Sequence, residues 1–226
     1  MRAAKAALPR ITQLPIRSWL SKRTVPGTAK PESIQRSSAG WKAALLFGIL
    51  FFIGYLSGIG KGRAGSSEFG AALASYYTDS ANFAAVSPLF MTLFGAAFLQ
   101  AVLVFLCGFS ALGSLFLGTY FAARGAVLGL CAAGVFVSGG TRGLVVHWML
   151  TCLPDMGVFL VMLWLAVRAN QCAVLIFRSL INAGGHVRSV PPLKALLIRF
   201  AVALLLAAMV CLFGAASGVV FAGVLL

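Results

Sequence analysis

Long uncharged apolar runs recur along this sequence, and most of its charge lies in the stretch before the first run or in the shorter stretches between them. As a helix, a run of about 20 apolar residues matches the hydrocarbon thickness of a bilayer. Inside lipid every backbone N–H and C=O must be satisfied within the protein, so only helices and closed barrels can span. The period-two alternation of barrel strands is missing. The sequence therefore predicts an all-α, polytopic helical membrane protein. Its composition fits: 61% of the 226 residues are hydrophobic and 10% are charged, where soluble domains average about 25% charged. Two regions follow. Residues 1–40 read as a basic, disordered cytoplasmic tail, and residues 41–226 as a single transmembrane helical domain.

The formal net charge is +14. Half of the basic residues lie between Met1 and Lys42, and most of the others flank apolar runs. That is the distribution of a membrane protein whose basic segments stay in the cytoplasm, and its natural partner is the anionic lipid bilayer. No aromatic residues are interleaved with the cations as stacking platforms, so nucleic acid is not expected as a partner. The tail has no apolar core of signal-peptide type. Its prolines, Pro9, Pro15, Pro26 and Pro31, would break the amphipathic helix of a transit peptide.

Five spans are expected, with the amino terminus inside. Ala43–Gly60 comes first, carrying Gly54 and Gly58 at helix-contact spacing. Lys61–Ser87 is electrically neutral and is placed outside; Glu68–Tyr77 within it reads as a short surface helix. Pro88–Cys107 returns the chain to a chargeless inner connection at Gly108–Gly113. Either that connection is very tight, or Gly108-Phe109-Ser110 breaks the helix within the membrane. Ser114–Val137 crosses again, as one helix or as two half-helices broken at Arg124–Gly125. Ser138–Gly143 is an outer turn. Leu144–Cys152 reads as a short helix dipping into the outer side, ended by Leu153-Pro154 because proline removes a ladder donor and restricts the residue before it. Met156–Phe177 is then the fourth span, Arg178–Lys194 a basic inner loop, and Ala195–Leu226 the last span, with Gly214 and Gly218 at contact spacing. Such small-residue faces suit contact within the chain, with partner anchors, or between copies.

Arg124 stands alone at the centre of a glycine-studded stretch, Gly108–Gly134. A cation at mid-depth costs on the order of 3 kcal/mol by insertion scales, so this segment should face protein rather than lipid. Its guanidinium then finds a carbonyl, a carboxylate or water, or else marks a functional centre. Asp155 is the only acid after Asp79. At the start of a helix it would complement the dipole; the alternative is a charge pair with Arg124.

Enzymatic constellations are missing from the sequence. His147 and His186 are the only histidines, neither sits in HExxH, and there is no GxSxG or Walker-type phosphate loop. His147 beside Trp148 reads as an interfacial residue. The cysteines Cys107, Cys131, Cys152, Cys172 and Cys211 lie in or beside apolar runs without a CxxC pair, so neither a disulfide framework nor a metal site is expected. No cofactor and no enzymatic activity are expected.

Cys107–Leu130 resembles the stage II sporulation protein M family. The likeness rests on Gly108-Phe109-Ser110 with Gly113, then an apolar run, then Arg124-Gly125 and Gly129. The Leu153-Pro154 step and the apolar segment after it extend it, and the span count carries it over roughly Trp41–Leu226. The chain departs from the family at Arg124, where lysine is commoner, and at Asp155, where asparagine often follows the proline. The resemblance implies a non-enzymatic protein of the mother-cell membrane, needed for forespore engulfment. It implies partners too, the peptidoglycan-degrading stage II sporulation proteins D and P, placed by this membrane platform. It makes Gly108, Ser110, Gly113, Arg124, Gly125, Gly129, Pro154 and Asp155 the structural and functional core. A rival reading from the residues is a permease or transporter subunit with Arg124 binding an anion at a broken helix. A third is a surface regulator acting through the tail.

Overall fold

A computed structural model describes residues 32–63, 72, 75, 80–181 and 193–225. The chain divides into a unit of Met1–Arg36 and a unit of Ser37–Leu226; of the first, only the helical start at Glu32 is described. The tail before Glu32, the surface helix expected at Glu68–Tyr77 and most of the loop expected at Arg178–Lys194 lie outside the described residues.

The described secondary structure is helical, with no strand. Helix α1 spans Glu32–Arg63, α2 Val86–Cys107, α3 Gly113–His147, α4 Leu153–Ile181 and α5 Leu193–Leu225. A 3-10 turn at Ser80–Phe83 precedes α2, and a π-helical turn at Trp148–Cys152 joins α3 to α4. Four helical segments are long and apolar enough to cross a membrane: Gly40–Arg63, Val86–Cys107, Gly113–Ile181 and Leu193–Gly223. This is a membrane protein by the length and composition of its helices. Helix α1 begins at Glu32, ahead of the expected Ala43, because no proline lies between Pro31 and Ala43 and extending an existing helix costs far less than nucleating one.

The third segment holds 69 residues. A straight helix of that length would run about 100 Å, over three hydrocarbon thicknesses. It folds back at Gly140, the one residue inside α3 with non-helical angles, φ 60 and ψ −151. That region of backbone space is essentially restricted to glycine. The turn expected at Ser138–Gly143 is thus compressed into a single residue. Its two arms meet side by side: Arg124 and Asp155 touch although they are far apart in sequence.

Of the two forms expected for Ser114–Val137, the single helix is found: α3 runs through Arg124–Gly125 without a break. One expectation needs correction. Leu144–Cys152 is not a separate dipping helix. The chain passes continuously from α3 through the π turn into α4. The wider turn accommodates Pro154, which has no N–H to offer and whose ring would crowd the carbonyl one α-turn back. Asp155 therefore does not stand at a free helix start, which leaves the other alternative, the pair with Arg124.

Two kinds of packing hold the helices together. Helices α2, α4 and α5 meet through alanines: Ala101, Ala166, Ala169, Ala173, Ala203 and Ala207 are fully buried. Helices α1 and α3 meet through glycines. A Cβ added at Gly54 would run into the Ala122 carbonyl oxygen, and one at Gly58 into that of Ala126. Conversely, Gly125 and Gly129 face the Phe51 and Tyr55 carbonyls. Backbones this close allow Cα–H···O contacts across the interface. Beside them Phe47 stacks on Phe121 at 5.2 Å, and Phe159 meets Phe121 edge-on at 5.8 Å. The outward faces, such as Leu45, Ile49 and Phe52 on α1 and Leu205, Met209 and Phe213 on α5, are exposed and apolar, as lipid requires.

Candidate functional site

The residues singled out by sequence fall into three places. Gly108, Ser110 and Gly113 build the tight turn between α2 and α3. Its backbone closes on itself: Ser110 N–H donates to the Cys107 carbonyl at 3.2 Å and Gly113 N–H to the Ser110 carbonyl at 3.0 Å. The Ser110 hydroxyl oxygen also accepts from Leu112 N–H at 3.3 Å. A side chain at Gly113 would collide with the Cys107 carbonyl, and one at Gly108 would press on Ala169 and Leu196. This turn is therefore a closed corner, and the helix break within the membrane is not needed.

Gly125 and Gly129 belong to the α1 contact described above. The helical repeat turns Arg124, their neighbour, toward α4 instead. Pro154 is buried on the opposite side, where it leaves room for nothing larger than Gly214: a Cβ there would lie 2.5 Å from the proline Cβ.

The third place is the ion pair. Arg124 on α3 donates from Nη2 to Oδ1 of Asp155 at 3.3 Å. The two side chains are 16% and 24% exposed. Of the two alternatives for Asp155, the charge pair is the one found. Arg124 Nε is buried and has no hydrogen-bond partner among the described residues. A guanidinium carries five N–H donors, so the pair leaves donor capacity unused.

A cavity of about 490 Å³ opens beside this pair, between α2, α3 and the π turn. Its polar lining comes from Thr92, Gln100, Tyr120, Arg124, Thr151 and Asp155, and Cys131 also faces it. Tyr120 donates to Gln100 Oε1 at 3.0 Å, bridging α3 and α2 across the cavity's edge. The volume falls in the range of small-molecule sites. The chemistry offered is recognition: one cation, one carboxylate and several hydroxyl and amide groups in an apolar wall.

His147, expected at the membrane interface, is buried against protein, 3% exposed, and its Nδ1 lies 2.8 Å from the Thr151 hydroxyl, which also donates to the His147 carbonyl. The fold-back at Gly140 packs this part of the returning helix against its neighbours, which the sequence around His147 does not show. Gln100, Tyr120 and Thr92 were missed by sequence reasoning. Single polar residues in apolar runs were the available signal, and only their convergence in space gives them meaning.

Comparison of the chain with protein families, with curated proteins and with solved structures gave no match.

Proposed function

We propose that the chain is a five-pass protein of the cell membrane, amino terminus in the cytoplasm, working as a non-enzymatic platform for peptidoglycan-degrading enzymes during forespore engulfment. The partners would be of the stage II sporulation protein D and P type, in the mother-cell membrane. With the fold-back at Gly140, the third apolar segment supplies two crossings and the other three supply one each. Lys42, Arg168, Arg178, Lys194 and Arg199 gather toward the end where Gly40 approaches Gln171 and Gly108 approaches Leu196. These cations, together with the basic residues that precede Gly40 in the sequence, support placing that end in the cytoplasm.

The observation that carries the reading is the backbone-to-backbone contact of α1 with α3. It makes the crossing region a stiff frame rather than a sliding set of helices, which suits a platform. The resemblance around Gly108–Gly129 supplies the identity of the partners. The test is co-purification of the tagged protein in mild detergent from sporulating cells, with mass spectrometry of what comes along. Peptidoglycan hydrolases are the expected catch. An ATPase subunit, or intact protein with no hydrolase, would refute it.

The cavity favours a second reading, a permease subunit that takes an anion at Arg124. Its broken-helix form is gone, since α3 is continuous there, but a cavity beside Arg124 is what it requires. In this reading millimolar phosphate, sulfate or a small carboxylate slows the reaction of Cys131 with a small maleimide. Unchanged Cys131 labelling across all three anions would remove it.

A further inference from the structure

Away from the ion pair, two arginines share one face at the end of the α4–α5 contact. Arg199 on α5 lies over the Trp164 ring, 5.0 Å from its centroid. Arg168 stands one helical turn beyond Trp164 on the same face of α4, and donates from Nη1 to Gln171 Oε1 at 2.8 Å. Trp164 thus has one arginine over its ring and a second one helical turn away. Among the described side chains the only carboxylate is that of Asp155, which binds Arg124 and lies about 20 Å away along α4.

The level of this pair in the bundle is fixed by its neighbours. Ala169, next to Arg168, and Leu196, one turn before Arg199, both face Gly108 at the tight turn between α2 and α3. Helix α2 ends there after 22 residues, about 33 Å of rise, roughly one hydrocarbon thickness. The two arginines therefore stand where the apolar zone ends, and Trp164, 40% exposed beside them, is the kind of residue that anchors at that boundary.

Two like charges on one face, with no carboxylate beside them among the described side chains, favour an anion. At headgroup depth, on an outward face, the anion at hand is a phosphodiester. Arginine matches it with paired N–H donors, and basic pockets between helices are the usual seat for acidic lipid heads. We infer that Arg168 and Arg199, with Trp164 beneath them, form a binding site for the phosphate of an anionic phospholipid. The site does not depend on the platform reading.

The test uses the full chain, purified, stripped of lipid and returned to nanodiscs of phosphatidylcholine with or without phosphatidylglycerol. Phosphatidylglycerol should raise the melting temperature of the wild-type protein. The pair Arg168→Gln with Arg199→Gln should weaken the apparent affinity for phosphatidylglycerol about thirtyfold, from two basic contacts at the surface. Arg63→Gln with Arg142→Gln, at the other end of the bundle, should leave it unchanged. Should the double glutamine variant fail to fold, Arg168→Lys with Arg199→Lys keeps the charge but loses the paired donors, and should weaken binding severalfold. The inference is overturned by equal phosphatidylglycerol affinity in wild type and site variants, by an equal loss at Arg63 and Arg142, or by millimolar inorganic phosphate reproducing the whole stabilisation.

Discussion

Removing either partner of the Arg124–Asp155 pair should destabilise the protein strongly, and removing both should cost much less than the sum. At the observed 3.3 Å, an effective dielectric near 20 gives an attraction of about 5 kcal/mol. Much of that offsets lost hydration, so the intact pair adds little net stability. The loss on breaking it is larger, because one charge remains in apolar surroundings; such losses run to about 3–5 kcal/mol. The side chains are 16% and 24% exposed, which lets water relieve the orphan in part and points to the lower end. Asp155→Leu and Arg124→Leu should each cost about 3 kcal/mol. Independent effects would sum to about 6 kcal/mol, whereas Arg124→Leu with Asp155→Leu, which leaves no orphan charge, should cost about 1 kcal/mol or less, a coupling of about 5 kcal/mol. Equilibrium unfolding by SDS titration in mixed micelles, followed by tryptophan emission and ellipticity, reads all four corners of the cycle. Additivity within about 0.5 kcal/mol would refute the argument. In cells, if the chain is the platform proposed above, Arg124→Leu should also disturb complex formation and engulfment, and the double variant should recover protein level.

Other outcomes follow from the glycines and the cavity. Gly58→Ala should cost about 2 kcal/mol or more in the same titration, since its Cβ meets the Ala126 backbone. Gly48→Ala, with nothing within 4 Å, should be neutral or stabilise by up to about 1 kcal/mol; equal effects at the two sites would contradict the α1–α3 contact. Gly140→Ala should cost about 1–3 kcal/mol from its backbone angles alone, although the space around it is open. Tyr120→Phe should cost about 1 kcal/mol through the lost bond to Gln100; no change in unfolding would show that bond to be absent in the membrane.

Much of the fold is legible in the sequence because the bilayer leaves few choices. Apolar length and charge placement locate the helices, and Gly54, Gly58, Gly125 and Gly129 mark a close contact before any partner is known. The partner itself is not legible: spacing shows that a face is small, and only the fold shows that α1 and α3 offer theirs to each other. Pro154 misleads for a definite reason. Its local rule says that a helix ends, while the π turn at Trp148–Cys152 lets the helix continue. Asp155 misleads through Pro154, since a capping role needs a helix start. The ion pair was open to inference from charge counting, because Arg124 has so few carboxylates to choose from. The cavity was not, because it is made by Gln100, Tyr120 and Thr151 arriving from separate segments.

The fold-back at Gly140 also bears on how the chain enters the membrane. Gly140 lies almost midway between Arg124 and Asp155 in sequence, so the arms of one helical hairpin carry a cation and an anion at matching height. Leaving the translocon singly, each arm would bring an unpaired charge to mid-bilayer at a penalty on the order of 3 kcal/mol. Leaving together, they are already neutralised. The hairpin is thus suited to partition as one unit, with Arg124 held in the translocon until Asp155 arrives to be released alongside it. Adding a single residue between Gly140 and Asp155 would turn the carboxylate by about 100° around its helix. Insertion itself, and not only the finished fold, would then register the change.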